Sequence, residues 1–327
     1  MQTARYTIHP RTAFGTPLAG DTLFGQACWT FRHRLGDDWL TERLQGYGED
    51  RPFLVLSDAF PQGFLPLPTV PSSFWETNSE DRKALKKKRW LPMEELESDF
   101  RSWQRLAYND TEAADAILRQ FDSSHAKTTA VQKTVAQPHN TINRLTGTTG
   151  KDMFAPYSQP QIWFHPDMRF DLHAVFDEAR LSAAELLETL AAVGLGGFGR
   201  DASIGLGKFD IEGAEAPLPE TDRADAWLTL APCAPQGQGF DRTKSFYHPL
   251  TRFGRHGDVA ALSENPFKRP LLLARTGAVF TPQDGMSEPR RFIGQGLNGV
   301  SFSQPEAVAQ GYAPVVGIKL AGVEVSA

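Results

Sequence analysis

Residues 194–209, GLGGFGRDASIGLGKF, contain the GxGxxG pattern that is typical of dinucleotide-binding turns. In such a turn a strand precedes the glycines, and a helix follows them so that its N-terminal N–H groups face the pyrophosphate. Here the order is reversed, because LSAAELLETLAA before the glycines has apolar residues at helical spacing and the Ser182/Glu185 pair of a capping box. The apolar residues between positions 204 and 211 predict a strand after the glycines. The pattern therefore argues against an NAD site and predicts a helix, a glycine loop and a strand.

The rest of the N-terminal half has the order strand, helix, strand and then strand, helix, strand again. Alternation in ARYTIHPRTAF predicts the first strand, and the apolar residues 52–61 predict a second strand in the middle of a sheet. Between them, DTLFGQACWTFRHRLG predicts an amphipathic helix with Asp21 as its N-cap and Gly36 at its C-terminal end. This order is that of a split βαβ, or ferredoxin-like, α+β fold.

Two changes in the pattern divide the chain. Residues 72–125 are charged and mostly helical in pattern, and they interrupt the strands as an insertion in a first domain at residues 1–213. The acidic, proline-containing linker at residues 213–222 predicts a boundary before a smaller β-rich domain at residues 223–327. In that domain AWLTLAPC, RPLLLARTGAVF and YAPVVGIKL predict strands, TRFGRHGDVA and RRFIGQGLNGV predict glycine-rich loops, and SQPEAVAQG predicts a short helix.

The distribution of charge restricts the partners of the chain. A net charge of −5 over 327 residues argues against a protein that binds nucleic acid over its whole surface. Residues 123–151 nevertheless contain no acidic residue, and this segment is too polar for a core and too long for an idle loop. A second basic cluster, RKALKKKRW at residues 82–90, is equally consistent with a solvated helix face.

The sequence contains no membrane segment and no redox or metal motif. No apolar run is long enough to cross a bilayer and the first residues lack a signal-peptide core, so we expect a cytoplasmic protein. Cys28 and Cys233 predict buried free thiols, and His33, His165 and His173 predict hydrogen-bonded structural histidines. HExxH, CxxC, GxSxG and GxxxxGK[ST] motifs are absent, so we expect no metal and no cofactor.

The remaining residues suit the backbone of single-stranded RNA. Glycines allow main-chain N–H groups to approach phosphate, and a nest of such groups binds an anion without lysines. The candidates in the glycine loop are Gly194, Gly196, Gly197, Gly199, Arg200, Ser203, Gly205, Gly207 and Lys208. Amide, hydroxyl and charged groups of the acid-free segment can bind splayed bases or phosphates, and the candidates there are Lys133, His139, Asn140, Asn143, Arg144 and Thr146. A polar turn with Asx caps explains the second group equally well.

Five segments, taken in order, resemble a known family: GDTLFGQACW, LSDAFPQGFLPLP, HNTINRLTGTTG, GLGGFGRDASIGLGKF and YAPVVGIKL. They resemble the handle-binding RAMP subunits of type III-A CRISPR effector complexes, the fourth subunit of the Csm assembly, over about residues 6–320. The resemblance implies two ferredoxin-like (RRM-like) RAMP domains whose glycine-rich loops bind the repeat-derived 5′ handle of the CRISPR RNA (crRNA). It also implies a non-catalytic subunit that lies between the large polymerase/cyclase-type subunit and a backbone RAMP subunit.

Two other functions remain open at this point. A RAMP-type endoribonuclease would cut CRISPR repeat RNA without a metal, with His139 as the general acid or base near a 2′-hydroxyl. A purely structural subunit would join an assembly through protein contacts alone. Cleavage of repeat RNA by the wild-type chain but not by the His139→Ala variant distinguishes the endoribonuclease from the other two.

Overall fold

The computed structural model describes residues 1–76, 82–121, 130–151, 154–214, 216–219, 221, 223–286 and 289–320. Parts of the predicted insertion and linker, and the acid-free segment up to residue 129 with His125 and Lys127, lie outside these ranges. The helices are α1 (Gly20–Leu35), α2 (Asp37–Leu44), α3 (Arg82–Leu85), α4 (Trp103–Leu106), α5 (Asp110–Leu118) and α6 (Ala183–Gly196). The strands are β1 (Gln2–Pro10), β2 (Leu54–Pro61), β3 (Phe64–Pro66), β4 (Trp90–Pro92), β5 (Lys133–His139), β6 (Tyr157–Trp163), β7 (Phe170–Phe176), β8 (Phe209–Ala214), β9 (Ala226–Thr229), β10 (Pro249–Arg252), β11 (Leu271–Ala274), β12 (Val279–Phe280), β13 (Phe292–Leu297) and β14 (Ala309–Ile318).

The first half of the chain forms an antiparallel sheet in the order β2-β7-β1-β8. The fourth strand of the two strand–helix–strand units therefore lies beside the first, and the third lies between the first and the second, as in a ferredoxin-like fold. Helix α1 makes the first crossover and α6 the second. The predicted capping box of α6 is confirmed, because the Ser182 N–H donates to Glu185 Oε2 at 2.9 Å and the Glu185 N–H donates to Ser182 Oγ at 3.2 Å.

The second half is also built on an antiparallel sheet, with the order β12-β9-β14-β13. In the described residues from 223 onward the only helical element is a 3-10 turn at Asp258–Leu262. Strands β10 and β11 form a separate hairpin. The α+β class is confirmed, and the ferredoxin-like strand order belongs to the first half.

Strand β2 lies at the edge of its sheet, although its apolar sequence predicted a central strand. The second half covers this edge. The Leu56 N–H donates to Gln310 Oε1 at 2.9 Å, and Gln310 Nε2 donates to the Leu56 carbonyl at 2.7 Å. The Asp58 N–H donates to the Leu230 carbonyl at 2.8 Å. Because the buried backbone groups of the edge have partners, β2 can be as apolar as a central strand.

One hydrophobic cluster continues from the first half into the second. The Tyr47 and Tyr312 rings meet edge to face with centroids 5.3 Å apart, and the Tyr312 hydroxyl donates to the Tyr47 carbonyl at 2.7 Å. Ile8 on β1 and Val316 on β14 belong to the same cluster. The domain boundaries at residues 213 and 223 stay a prediction, and the two sheets share a core.

Three local predictions are wrong. Helix α1 begins at Gly20 rather than after an Asp21 cap, because Asp58 on β2 supplies the capping oxygen to the Gly20 N–H at 2.8 Å. The glycine-rich segment at 290–300 contains strand β13, whose Gly294 lies so close to β14 that a Cβ atom would be 2.2 Å from the Gly311 carbonyl oxygen. Residues 303–308 form no helix, and β14 begins at Ala309.

The insertion belongs to the main core. Strand β4 pairs with β3, and α5 has a capping box between Asn109 and Glu112. Trp75, Phe100 and Trp103 are buried in the shared cluster. None of the helices in the described ranges has the length and apolar composition that crossing a membrane requires.

Candidate nucleic-acid interface

The glycine loop connects the end of α6 to β8, as the sequence predicted, with one difference. Residues Ala202–Ile204 form a 3-10 turn rather than the beginning of the strand, and β8 starts at Phe209. Gly197, Gly199, Gly205 and Gly207 have φ between 74° and 99°, a region that favours glycine. The chain therefore needs glycine at these four positions for its backbone conformation.

Close packing explains most of the glycines. A Cβ atom would lie 2.2 Å from the Phe209 carbonyl oxygen at Gly194 and 2.5 Å from the Leu206 carbonyl oxygen at Gly197. At Gly199 it would lie 2.6 Å from Thr16 Oγ1, and at Gly207 it would lie 2.1 Å from the Phe198 carbonyl oxygen. A Cβ atom at the two other glycines, Gly196 and Gly205, would meet no atom within 4 Å. Only these two leave open space for a ligand.

The main-chain N–H groups of the loop are largely occupied within the protein. Phe198 N donates to the Gly207 carbonyl at 2.9 Å, and Gly207 N donates to the Ala13 carbonyl at 2.8 Å. The Gln26 amide binds the loop on both sides, because its Nε2 donates to the Gly197 carbonyl and its Oε1 accepts from Gly199 N, each at 3.1 Å.

The predicted role of these amides as free anion donors is therefore wrong for Gly197, Gly199, Gly205 and Gly207. Gly197 N donates to the Val193 carbonyl, and Gly205 N donates to the Ala202 carbonyl. Gly194 and Gly196 lie in the last turn of α6. Whether RNA approaches other atoms of the loop stays a prediction.

Arg200 joins the loop to the β5–β6 hairpin rather than presenting a free charge. Its guanidinium donates to the Gly15 carbonyl at 3.2 Å, to the Pro160 carbonyl at 2.6 Å and to the Gln159 side chain. Asp201 lies 3.5 Å from the same guanidinium. Ser203 and Lys208, in contrast, are exposed, although the Lys208 N–H donates to Thr12 Oγ1.

The β5–β6 hairpin is the element that carries the candidates of the acid-free segment. Its strands pair from Lys133 opposite Trp163 to His139 opposite Tyr157. A backbone bridge between Phe14 and Ile162 attaches it to the first sheet. Successive side chains of a strand point to opposite faces, so Lys133 and His139 lie on one face of the hairpin together with their partners Trp163 and Tyr157. Trp163 and Tyr157 are both about half exposed, which is unusual for such large rings.

The far end of the hairpin is a tight turn. Asn143 N donates to the Thr148 carbonyl at 3.0 Å, and the Asn143 side-chain oxygen accepts from Leu145 N at 2.9 Å. Asn143 is thus the Asx cap of the alternative interpretation. Asn140 and Arg144 are exposed, and no hydrogen bond is formed by the Arg144 side chain with the described residues.

The His139 ring stacks on Tyr157 with a centroid distance of 5.1 Å and an interplanar angle of 12°. Its Nε2 is buried and has no hydrogen-bond partner among the described residues. The structure therefore places His139 against an aromatic ring of the hairpin, with no carboxylate bonded to it in the described part of the chain.

The charges of the hairpin and of the second basic cluster differ in their surroundings. Residues 130–151 include the exposed cations Lys133, Arg144 and Lys151, and no acidic residue. In the 82–90 cluster, Lys88 lies 2.7 Å from Glu112 and Arg89 lies 3.2 Å from Asp110. These two cations of the cluster are neutralised within the insertion.

Sequence reasoning missed the residues that organise the site. Gln26 and Thr16 bind the glycine loop from positions more than 170 residues away, and Tyr157 and Trp163 complete the aromatic face of the hairpin. The strand predicted around SQPQIW was the one available signal for Tyr157 and Trp163. These two aromatic residues are an even number of positions apart, so a strand places them on the same face.

Two of the three predicted structural histidines have the expected hydrogen bonds. His33 Nε2 lies 2.5 Å from Asp258 Oδ2, and His165 Nδ1 accepts from the Asp167 N–H at 3.2 Å. His173 is buried on β7, its Nε2 has no hydrogen-bond partner in the part of the chain that the structure describes, and burial lowers its pKa to about 3. The predicted hydrogen bond is therefore wrong for His173.

The two cysteines are free thiols, Cys233 buried and Cys28 partly buried, and burial raises the pKa of both to about 12. In the described ranges no three or more histidine, cysteine, aspartate or glutamate side chains are grouped so that they could hold a metal ion.

Comparison with solved structures places this fold beside CRISPR subunits. A chain in the crystal structure of the Csm3-Csm4 subcomplex in the type III-A CRISPR-Cas interference complex is 14% identical, with a TM-score of 0.61, over 95% of this chain and 98% of that chain. A chain in the Csm1-Csm4 cassette in complex with pppApA is 15% identical, with a TM-score of 0.56, over 98% and 99%. A chain in the same cassette with cA4 is 14% identical, with a TM-score of 0.56, over 97% and 98%.

Csm4 is the subunit that these assemblies have in common. No protein-family model and no curated protein matches the chain. At this identity the similarity shows a shared fold, and it covers nearly the whole of both chains.

Proposed function

We propose that this chain is a non-catalytic, RNA-binding subunit of a type III CRISPR effector complex. The observation that carries the proposal is the full-length similarity of its fold to chains of two assemblies that contain Csm4. That similarity extends over both halves of the chain, because 95% or more of its length is covered.

The ligand in this proposal is the repeat-derived 5′ handle of the crRNA, and the hairpin is its main contact. Lys133 and Arg144 carry exposed charge for phosphates within residues 130–151, which contain no acidic residue. The stacked His139–Tyr157 pair and Trp163 offer aromatic surfaces to unstacked bases, and Asn140 offers an exposed amide to base edges. A chain with net charge −5 can bind RNA in this way because the positive charge is local.

The glycine loop has a supporting role in this proposal. Arg200 fixes the hairpin to the loop, and Gln26 fixes the loop to α1. Gly196, Gly205, Ser203 and Lys208 are the candidate residues of the loop that remain accessible to RNA. The loop thus sets the angle at which the hairpin meets its ligand.

The proposed protein partners are the large polymerase/cyclase-type subunit and a backbone RAMP subunit, in a cytoplasmic complex. The similar chains come from assemblies described as Csm1-Csm4 and Csm3-Csm4, which is the pair of contacts that a bridging subunit requires.

Co-purification tests the proposal. The tagged chain is expressed with the large and backbone subunits of its own organism, and bound RNA is sequenced. We expect both subunits and crRNAs that share one repeat-derived 5′ sequence. Failure of the subunits to associate, or bound RNA without a common 5′ sequence, would contradict it.

Charge reversal on the hairpin tests the RNA contact itself. Lys133→Glu and Arg144→Glu should each weaken handle binding and reduce the slope of log K against log salt by about 0.7, because one phosphate contact is lost. Lys319→Glu is the matched control, since Lys319 is exposed at the end of the second half. An unchanged slope in both hairpin variants would mean that these cations do not touch RNA.

A cleavage assay tests the non-catalytic part of the proposal. We expect the wild-type chain to leave repeat RNA intact, with and without divalent metal. Metal-independent cleavage that the His139→Ala variant abolishes would instead identify a RAMP-type endoribonuclease.

A further inference from the structure

An arginine–phenylalanine surface in the second half of the chain lies outside the glycine loop and the hairpin. It is formed by Phe253, Arg255, Phe267, Arg269 and Phe302, which we name the Arg-Phe platform. The three rings are 77%, 60% and 57% exposed in sequence order, and both arginines are exposed. Large rings with this exposure, grouped together on a protein surface, mark a binding site.

The platform is laid out on antiparallel segments. Arg255 is paired with Phe267, and Lys268 is paired with Ser301, so that Phe267 and Phe302 are opposite neighbours. Phe253 and Arg255 are two residues apart in the sequence, as are Phe267 and Arg269. Lys268 points the other way, toward Cys28 and Asp21. Exposed phenylalanines and arginines therefore alternate along these neighbouring segments.

Two cation–π contacts join four of these side chains in pairs. The Arg255 guanidinium carbon lies 5.9 Å from the centroid of the Phe267 ring, and the Arg269 carbon lies 5.0 Å from that of Phe302. Arg255 also donates to the Ala261 carbonyl at 3.3 Å. Among the described residues, no carboxylate lies within 4 Å of either guanidinium, so both charges are uncompensated.

We propose that the Arg-Phe platform is a second binding site for single-stranded RNA, which stacks about two or three unpaired bases on the phenylalanine rings. Each nucleotide carries one base and one phosphate. A surface in which rings alternate with guanidiniums can therefore stack the bases and bind the phosphates. A protein partner would have to bury two unpaired guanidiniums at the centre of the face, which is costly unless it also supplies carboxylates. This site goes beyond the proposed function, because it is separate from the hairpin and does not depend on the handle sequence.

The affinity of the full-length chain for RNA tests the platform. The probe is a fluorescein-labelled oligouridylate of about eight nucleotides, which is within the usual site size of stacking surfaces. Phe267→Ala and Phe302→Ala should each weaken binding about tenfold, because each removes one base-stacking contact. Phe121→Ala is the matched control, since the Phe121 ring is 42% exposed and also lies under an arginine, Arg169, at 4.7 Å. We expect the control to bind like the wild type.

Three further measurements keep the result specific. Arg255→Gln and Arg269→Gln should each reduce the slope of log K against log salt by about 0.7. Ultraviolet crosslinking to 5-iodouridine RNA should place crosslinks on peptides that contain Phe253, Phe267 or Phe302. Circular dichroism should show that all variants keep the wild-type fold.

The same variants are measured in a Lys133→Glu/Arg144→Glu background, so that the two surfaces are separated. Equal fold-changes in both backgrounds are expected, because distant sites contribute independently.

Wild-type RNA affinity in the phenylalanine variants, together with the absence of crosslinks on the platform, would overturn the site. Loss of a co-purifying protein subunit with RNA affinity intact would overturn it too, and would identify a protein-docking face. Failure of the chain to join an effector complex would contradict the proposed function and leave the platform measurement unaffected.

Discussion

At the scale of single residues, the glycines of the loop perform different tasks. The backbone conformation requires glycine at Gly197, Gly199 and Gly207, and close contacts with neighbouring backbone or side-chain atoms reinforce the requirement. Gly194 has helical geometry, and its lack of a side chain lets α6 approach β8. A sequence pattern cannot separate these tasks, because the atoms that each glycine avoids belong to segments far along the chain.

The pair Gly194 and Gly196 tests this division. Gly194→Ala should lower the free energy of unfolding by about 1–3 kcal/mol, because its Cβ would lie 2.2 Å from the Phe209 carbonyl oxygen. Gly196→Ala, two residues later in the same helix, should leave stability unchanged or raise it by about 0.5 kcal/mol, because its Cβ meets open space. Urea unfolding of both variants measures the difference. Equal effects would mean that packing does not distinguish the two positions.

Asp58 gives the chain a pH-dependent stability. Its carboxyl caps the Gly20 N–H and accepts from Thr276 Oγ1 at 2.5 Å, and burial raises its pKa to about 7. Since the unfolded chain releases this proton near pH 4, the folded state holds an extra proton between about pH 4 and 7. Below that range Asp58 makes its largest contribution to the free energy of unfolding. As the pH rises through the range, this contribution falls by about 1.4 kcal/mol per pH unit.

The Asp58→Asn variant measures this contribution, because its side chain stays neutral at every pH. The stability of the variant relative to the wild type should rise between pH 4 and pH 7, as followed by urea unfolding at several pH values. A difference that is independent of pH would show that the Asp58 carboxyl titrates normally in the folded protein.

At the scale of secondary-structure elements, local signals predicted what local interactions determine. The capping box of α6, the stop of α1 at Gly36 and the order of the first sheet follow from short-range patterns. Short-range patterns could not predict the edge position of β2 or the existence of strand β13. The partner of β2 is Gln310, which is far away in the sequence, and the partner of β13 is strand β14, which lies outside the range of such patterns. The candidate site divides in the same way: composition drew attention to the acid-free segment of the hairpin, whereas it did not reveal Tyr157, Trp163 or the contacts that occupy the loop amides.

Arg200 is the main side-chain connection between the glycine loop and the β5–β6 hairpin. Arg200→Met keeps most of the volume of the side chain and removes its hydrogen bonds to Gly15, Gln159 and Pro160. We expect the amides of β5 and β6 to exchange hydrogen at least about tenfold faster, while those of β1 and β7 are unchanged, because only local opening becomes easier. Hydrogen exchange followed by mass spectrometry measures this, and faster exchange throughout both sheets would show that Arg200 stabilises the whole fold instead.

At the scale of the whole molecule, the shared core leads us to expect that the two halves unfold as one unit. Leu56 on β2 and Gln310 on β14 are both fully buried, and their two hydrogen bonds join the sheets. Tyr47 and Tyr312 pack together at the same junction. The predicted division at residues 213–222 therefore separates two sheets in sequence, while the core continues across it.

Gln310→Leu should lower the free energy of unfolding by about 2–5 kcal/mol, because it leaves two buried backbone groups of Leu56 without partners. The exposed Gln120→Leu change is the control and should have little effect. Both sheets should still unfold in a single transition, as followed by circular dichroism and tryptophan fluorescence in urea. Two separate transitions in the wild-type chain would mean that the halves are independent domains.

The central claim is that the exposed hairpin of this chain binds the RNA of an effector complex. The most direct measurement is crosslinking of the co-purified complex that contains 4-thiouridine-labelled RNA, followed by mass spectrometry of the crosslinked peptides. We expect crosslinks within residues 130–163, with the 5′ handle as the attached RNA. A complex whose RNA crosslinks to the other subunits and to no peptide of this hairpin would contradict it.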